Sequence, residues 1–247
     1  MKTKTKLQIS QSALRDFYNP ACCRLFWQEK YLNGFKTEPT DAMKAGLVFE
    51  SKLLTKSRDG QVWDYPKLKS GEPSKAETDL NLLVDKAKEL FTHLQIDPLE
   101  IQPVWEVTDL LAHPDLVCSS VLAPKAIVDV KYCGYNDNDR FSPWFDLEKV
   151  DTLQAVHYTY MYNLLYNEWV PFFYFVFFKN GGVRLFDVKL TVSAVDAHKA
   201  LLNQFRQDVA KLNTESVATT FSQCVRCPLY STCGIRVNVP KTEEIVV

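Results

Sequence analysis

The spacing of apolar residues along the chain changes near Pro98. Before it, apolar side chains recur every three or four positions, which is the period of a helix with one buried face. After it, short segments rich in β-branched and aromatic residues are separated by prolines and polar turns, which is typical of strands. The pattern predicts helices over residues 12–18, 20–32, 41–55 and 74–94, then strands over residues 101–111, 116–121 and 125–132.

The rest of the chain continues to alternate between helix and strand. Asn180-Gly181 separates two apolar segments, and this dipeptide favours a tight hairpin turn. The predicted elements are a loop over residues 133–146, a helix over 149–166, strands over 171–178 and 182–190, and a helix over 192–212. Their order predicts an α/β sandwich with a helical front end.

Composition narrows the class of protein without defining its function. The chain has 247 residues, of which 46% are hydrophobic and 13% aromatic. This suits one domain with elaborations, or a core domain with a small appendage, and it suffices for a sizeable core. The formal net charge is -1, so overall charge does not indicate nucleic-acid binding. A protein with this balance that does bind nucleic acid must hold its basic groups in a local groove.

No segment of the sequence is typical of membrane insertion. The basic N-terminus lacks the apolar stretch of a signal peptide, and the longest apolar run, residues 170–178, is too short to span a bilayer. We therefore expect a soluble cytoplasmic protein that does not bind membranes. In that compartment the 7 cysteines are better explained by metal binding or burial than by a disulfide framework.

Two aspartates and a lysine lie on neighbouring predicted strands. Asp115 opens one strand, and Asp129 and Lys131 close the next. Since side chains alternate along a strand, Asp129 and Lys131 share a face while Val130 points into the core. If the strands pair antiparallel, Asp115 approaches Asp129, and the two carboxylates repel unless a divalent cation lies between them. Such a cation supports phosphodiester hydrolysis by lowering the pKa of a bound water.

An Asp-x-Lys tripeptide alone is weak evidence for catalysis. In the alternative interpretation, Asp115 caps a turn after Pro114, and Lys131 is a solvated charge at a strand end. The apolar residues that lead into Asp129 argue for chemistry, because charged groups at the end of a buried strand need a stabilising partner.

Two predicted helices add candidate residues. Gly46 and Glu50 lie four positions apart on one of them. Gln154 and Tyr158 fall on one face of another, where they can bind phosphate or orient Lys131. Ordinary helix packing would explain either pair taken alone.

Taken in this order, the residues resemble the motifs of the RecB-like branch of the PD-(D/E)xK nucleases, which includes CRISPR adaptation nucleases, AddB-type nucleases and phage exonucleases. Gly46 and Glu50 match the G-x-x-x-(H/E) helix, Asp115 the metal-binding aspartate, Asp129 and Lys131 the (D/E)-x-K motif, and Gln154 and Tyr158 the Q-x-x-x-Y helix. Many relatives carry histidine in place of Glu50, which is a difference of subtype. The resemblance implies a restriction-endonuclease-like core with a mixed central sheet flanked by helices.

The resemblance also implies roles for these residues. The catalytic set is Glu50, Asp115, Asp129, Lys131, Gln154 and Tyr158, and the ligands for Mg²⁺ or Mn²⁺ are Glu50, Asp115, Asp129 and the carbonyl of Val130. The implied activity is DNA hydrolysis by an exonuclease that acts on DNA ends or single strands in phage recombination, replication or repair. A catalytically inactive DNA-binding recombination protein is the alternative. A helicase, a recombinase or a single-strand-binding protein is an implied type of partner.

Three cysteines near the C-terminus form a second candidate site. Cys224, Cys227 and Cys233 follow a C-x-x-C-x5-C pattern. A tetrahedral Zn²⁺ or an iron–sulfur cluster needs a fourth thiolate, for which Cys22 and Cys23 are the candidates.

The iron–sulfur branch of the same nucleases has one cysteine near the N-terminus and three near the C-terminus. The resemblance therefore implies a 4Fe-4S cluster on Cys23, Cys224, Cys227 and Cys233, with Cys22 as the alternative to Cys23 and Zn²⁺ as the alternative occupant. It implies a single nuclease domain over residues 1–247, in which segments 1–40 and 217–238 form a clasp that holds the cluster. Residues 41–215 form the nuclease core.

Overall fold

The chain divides into two compact units, each assembled from more than one segment of the sequence. The computed structural model describes residues 7–19, 23–56, 65, 68–212, 224, 227–231 and 233. The first unit comprises Met1–Glu38, Thr108–Leu111 and Asp196–Val247, and the second comprises Pro39–Val107 and Ala112–Val195. Most of the last helix lies in the first unit, so the predicted nuclease core, residues 41–215, includes parts of both units.

The helices and strands alternate as the apolar pattern predicts. The helices are α1 (Gln11–Tyr18), α2 (Arg24–Tyr31), α3 (Asp41–Leu54), α4 (Lys75–His93), α5 (Leu153–Tyr166) and α6 (Val192–Ala210). The strands are β1 (Asp97–Ile101), β2 (Trp105–Val107), β3 (Leu110–Ala112), β4 (Leu116–Ser119), β5 (Ala126–Cys133), β6 (Phe172–Phe178) and β7 (Val183–Val188). No helix of the described segments is long and apolar enough to cross a membrane.

Polar side chains fix where several helices begin. The hydroxyls of Ser10, Thr40 and Ser74 accept backbone N–H groups at the first turns of α1, α3 and α4. Each satisfies a donor that the helix itself leaves unpaired. The sulfur of Cys23 takes the same position at α2, where it accepts the N–H of Phe26 at 3.3 Å.

Two predicted elements differ from the structure by more than two residues, and a third has its predicted start outside the described residues. The single strand expected over residues 101–111 is wrong: β1 ends at Ile101, and β2 and β3 are separate strands. Left-handed backbone at Gln102 (φ 48°) and Thr108 (φ 57°) breaks the extended conformation. Helix α2 begins at Arg24, and the predicted start at Pro20 falls outside the described residues. Helix α5 begins at Leu153, after a separate 3-10 turn.

A five-stranded mixed sheet forms the centre of the second unit. Its strand order is β1-β4-β5-β6-β7, and only the β5–β6 pair is parallel. Helix α5 connects β5 to β6, as a parallel pair requires. Strands β6 and β7 form the predicted antiparallel hairpin, in which Gly181 adopts φ 84°.

Helices cover both faces of this sheet. On one face, α3 and α4 pack over alternate residues of β5 and β6, including Val128, Val130 and Phe175. On the other face, the ring of Tyr158 from α5 lies 6.3 Å from that of Phe172. Every residue of β6 is buried, as expected of a central strand covered on both sides. The predicted mixed α/β architecture, with a mixed central sheet flanked by helices, is confirmed.

An aromatic cluster forms the core of the first unit. The rings of Phe17, Trp27 and Phe205 lie 5.0–5.7 Å apart in edge-to-face contacts, a geometry that aromatic pairs favour. The indole N–H of Trp27 donates to the carbonyl of Ala13 at 2.8 Å. This cluster joins α1, α2 and α6 within the unit.

Candidate active site and cysteine group

Asp115 and Asp129, two of the predicted site residues, meet where β4 and β5 lie side by side. These strands pair antiparallel, with Leu116 opposite Val128, so Asp115 lies beside the middle of β5, next to Asp129. Its Oδ2 accepts the backbone N–H of Val130 at 2.8 Å. Asp115 is 1% exposed and Asp129 0%. The antiparallel pairing on which the approach of the two aspartates depends is present.

Asp129 and Lys131 share one face of β5, opposite Val130, which packs in the core. The ammonium of Lys131 forms an ion pair with Oδ2 of Asp129. About a third of the lysine side chain remains exposed, at 32%, against 1% for the aspartate. Lys131 therefore joins a buried carboxylate to a surface that solvent or substrate can reach.

The electrostatics of this group are dominated by burial and excess negative charge. Burial raises the pKa of Asp129, the ammonium of Lys131 opposes that rise, and the carboxylates of Asp115 and Glu50 add to it. Burial by itself lowers the pKa of Lys131, but Asp129 and Asp115 outweigh it, so the net shift is upward. The lysine is therefore held in its charged form, and three carboxylates compete for positive charge.

Glu50 reaches this group from α3 through Gln102, which is not among the predicted site residues. Gln102 donates from Nε2 to Oε1 of Glu50 at 2.5 Å, and its backbone N–H donates to the carbonyl of Asp115 at 2.8 Å. It is 5% exposed. The one available signal was Pro103, because a residue before proline often ends a regular element.

Gly46 lies one turn before Glu50 on the same helix. A Cβ atom placed on it would meet no other atom within 4 Å. Internal packing therefore does not require glycine at this position, and its surroundings are open.

Helix α5 supplies the remaining two predicted residues. Gln154 donates from Nε2 to Oδ1 of Asp129 at 2.6 Å. The hydroxyl of Tyr158 donates to the carbonyl of His113 at 3.1 Å, and burial, followed by the charge of Asp129, raises the pKa of Tyr158 to about 12. Tyr158 thus remains a neutral hydrogen-bond donor at ordinary pH. Both residues lie at the carboxylate group, as their shared helical face predicts.

The structure thus brings all six predicted catalytic residues into one group. Carboxylate oxygens are the ligands that Mg²⁺ and Mn²⁺ prefer, and Asp129 is a fully buried carboxylate whose pKa is raised mainly by burial and further by the neighbouring Asp115 and Glu50, so a divalent cation would stabilise its charged form. The donor set therefore fits such a cation. Within the described ranges, however, no three His, Cys, Asp or Glu side chains have the arrangement of a metal site. In this structure the ammonium of Lys131 forms an ion pair with Oδ2 of Asp129.

The predicted cluster cysteines lie in the first unit. Burial raises the pKa of the Cys227 thiol, and so do the nearby Cys23, which is hydrogen-bonded to it, and Cys233. Cys224 is buried, and its carbonyl accepts the N–H of Cys227 at 3.0 Å. Cys227 therefore lies near Cys23 and Cys233, but the four predicted thiols, all of them among the described residues, do not have the arrangement of a metal site. Cys22, the alternative fourth ligand, lies outside the described residues.

Neither a protein-family profile nor a curated protein sequence matches the chain. Among solved structures, a candidate exonuclease from Eubacterium rectale is similar over 98% of this chain and 91% of its own, with a TM-score of 0.64 and 18% identity. An alkaline exonuclease from Laribacter hongkongensis is similar over 83% of this chain and 90% of its own, with a TM-score of 0.45 and 9% identity. The first likeness shows the fold, and the second adds no argument.

Proposed function

We propose that the protein is a divalent-metal-dependent nuclease that hydrolyses the phosphodiester bonds of DNA. The observation that carries the proposal is the convergence of Glu50, Asp115 and the charged Lys131 on the buried Asp129. A charge at 0% exposure costs several kcal/mol unless it is compensated. Folding alone does not explain why three carboxylates share one site.

Bound Mg²⁺ or Mn²⁺ would neutralise charge on the scissile phosphate and lower the pKa of a water. Glu50, Asp115, Asp129 and the carbonyl of Val130 would hold the ion. The partly exposed Lys131 supplies a positive charge, which can hold a phosphate oxygen or orient the attacking water. Gln154 fixes Asp129 through its 2.6 Å hydrogen bond.

The test is hydrolysis of end-labelled linear DNA, single- and double-stranded, with Mg²⁺ or Mn²⁺. Asp129→Ala and Lys131→Ala should each abolish hydrolysis. Lys125→Ala is the matched control, since this lysine precedes the same strand and pairs with Glu168 on the surface. Undiminished hydrolysis in the Asp129 or Lys131 variant would contradict the assignment. Metal-dependent DNA binding without cleavage would instead favour the inactive recombination protein.

We further propose that the enzyme is an exonuclease acting on DNA ends or single strands, in phage recombination or replication or in DNA repair. Support comes from the Eubacterium rectale structure of the same fold, which is described as a candidate exonuclease. An exonuclease releases mononucleotides or short products from linear DNA and leaves covalently closed circular DNA intact. Cleavage of the closed circle at the same rate would show an endonuclease.

The cysteines of the first unit support a separate proposal, a 4Fe-4S cluster on Cys23, Cys224, Cys227 and Cys233. The contact of Cys227 with Cys23 and its proximity to Cys233 support this set. Thiolates also suit Zn²⁺, so the occupant is decided by iron and zinc analysis of anaerobically purified protein. We expect iron together with visible charge-transfer absorbance. Stoichiometric zinc without iron would show that the cysteines bind zinc and not the cluster.

A further inference from the structure

Gln102 has a left-handed backbone conformation, which residues other than glycine rarely adopt. It follows β1 directly, with φ 48°. Its N–H donates to the carbonyl of Asp115 at 2.8 Å, which ties this turn to the residue that precedes β4. Glycine would meet the backbone requirement without a steric penalty, so the requirement for a turn does not account for a long polar side chain here.

The side chain of Gln102 is used at the carboxylate group. It is 5% exposed, and its Nε2 donates to Oε1 of Glu50 at 2.5 Å. A neutral amide can fix a carboxylate without adding a counter-charge that would compete with a cation. The same residue therefore contacts one predicted ligand through its side chain and another through its backbone.

The amide oxygen of Gln102, Oε1, is also available to accept a hydrogen bond. Oε1 of Gln102 is buried and has no hydrogen-bond partner among the residues that the structure describes. A buried amide oxygen without a partner is unfavourable. A water molecule in the hydration shell of a cation would satisfy it, because Mg²⁺ and Mn²⁺ sites usually retain several waters.

We propose that Gln102 is a positioning residue of the metal site: its amide orients Glu50, its backbone fixes Asp115, and its Oε1 accepts a hydrogen bond from metal-bound water. The inference rests on the proposed function in that it takes the three carboxylates as ligands. Residues that orient metal ligands in this way typically contribute tenfold to a hundredfold to metal affinity.

The chain offers a matched control in Gln95. This second glutamine also has left-handed backbone (φ 51°) in the same unit, but its side chain is exposed. Variants Gln102→Ala, Gln102→Gly, Gln95→Ala and Gln95→Gly therefore separate the backbone effect from the amide effect. Glycine relieves the strained φ and alanine does not, whereas both remove the amide.

The measurement is calorimetric titration with Mn²⁺ in the absence of DNA, together with thermal unfolding of the metal-free proteins. Both Gln102 variants should bind Mn²⁺ about tenfold to a hundredfold more weakly than the wild type. The Gln95 variants should bind it normally. Metal-free Gln102→Gly should unfold at a higher temperature than Gln102→Ala. Wild-type affinity in Gln102→Gly would overturn the proposal, because the role would then be that of the backbone alone.

A double-mutant cycle shows whether Gln102 acts through Glu50. If it does, Glu50→Ala combined with Gln102→Ala should bind Mn²⁺ nearly as well as Glu50→Ala alone, since coupled residues are not additive. Fully additive losses of Mn²⁺ affinity would show that Gln102 does not act through Glu50. A wild-type protein that binds no Mn²⁺ would overturn the inference itself. Retained Mn²⁺ binding with the predicted variant pattern, but no hydrolysis of any DNA, would contradict only the proposed nuclease function.

Discussion

Oδ2 of Asp115 accepts the backbone N–H of Val130 at 2.8 Å, between the two residues of the Asp-x-Lys motif. The same carboxylate therefore serves the sheet and the candidate active site. Its bond to β5 closes the antiparallel pair at the point where Leu116 faces Val128. Stability and catalysis are thus expected to respond differently to different substitutions of Asp115.

Replacing Asp115 with alanine should lower both stability and activity. The N–H of Val130 would lose its partner in a buried position, which costs about 1–3 kcal/mol. Asp115→Asn keeps an oxygen acceptor but removes the charge, so it should fold almost normally. Its hydrolysis of DNA should nevertheless fall by at least about a hundredfold, since charge neutralisation by the metal contributes several kcal/mol. Urea denaturation and DNA hydrolysis measure the two effects; equal unfolding free energies for the two variants would contradict the structural role of this bond.

Gln154→Ala should weaken hydrolysis by about tenfold to a hundredfold, because Asp129 loses the donor that orients it. Leu164→Ala is a suitable control on the same helix, since that side chain is 43% exposed. The initial rate on linear DNA at saturating Mn²⁺ is the measurement. A similar loss in both variants would indicate a general effect on α5 and not on the orientation of Asp129.

Removing a cluster cysteine should remove iron from the protein. Cys227→Ala, which deletes the thiol in contact with Cys23, is expected to leave at most a fraction of the wild-type iron. Cys118→Ala should keep it, because Cys118 lies in the core of the second unit. Iron content per chain and visible absorbance report the outcome. An iron content equal to that of the wild type in the Cys227 variant would show that Cys227 is not a ligand.

The ion pair between Arg206 and Asp109 predicts a pH-dependent contribution to stability. Hydrogen bonds from the Arg206 guanidinium, at 2.7 and 2.8 Å, hold the pKa of Asp109 below its usual 3.8. A lowered folded-state pKa means that the contribution is complete above the unfolded value and is lost as the pH falls through the folded one. Arg206→Met should therefore be less stable than the wild type near neutral pH, and the difference should shrink in acid.

Chemical denaturation at neutral and at strongly acidic pH gives that comparison. Lys199→Met removes one positive charge from the same helix at an exposed pair with Asp196, which controls for the change in net charge. A difference between wild type and Arg206→Met that stays constant down to the lowest pH would exclude the Asp109 pair as its source.

Sequence alone predicted the residues of the site better than their partners. Asp129 and Lys131 were predictable because side chains on a strand alternate, and Asp115 because antiparallel pairing places it beside them. The bond from Gln154 to Asp129 depends on how α5 lies on the sheet, which no local pattern specifies. Whether these residues bind metal and hydrolyse DNA is still a prediction.

The fold was predictable wherever the local signals agreed. Helix α3 and the β6–β7 hairpin have both a clear apolar period and a clear capping or turn residue, and they lie where expected. The segment after Ile101 was misjudged because its β-branched and aromatic content masked two turns with left-handed backbone. Such conformations at Gln102 and Thr108 depend on tertiary contacts and not on local preference.

Strand β6 also makes the folding chain prone to misassociation until both of its edges are paired. Its seven residues, Phe172–Phe178, are entirely apolar or aromatic and carry no charge, a composition that aggregates readily when it is exposed as a free strand. In the folded protein, β5 and β7 occupy both of its edges. Because its parallel partner β5 precedes it by a whole helical crossover, this pairing is a long-range and therefore slow event. A nascent chain that ends before β7 has one edge of β6 unprotected, so synthesis and refolding are most vulnerable to misassociation at that stage.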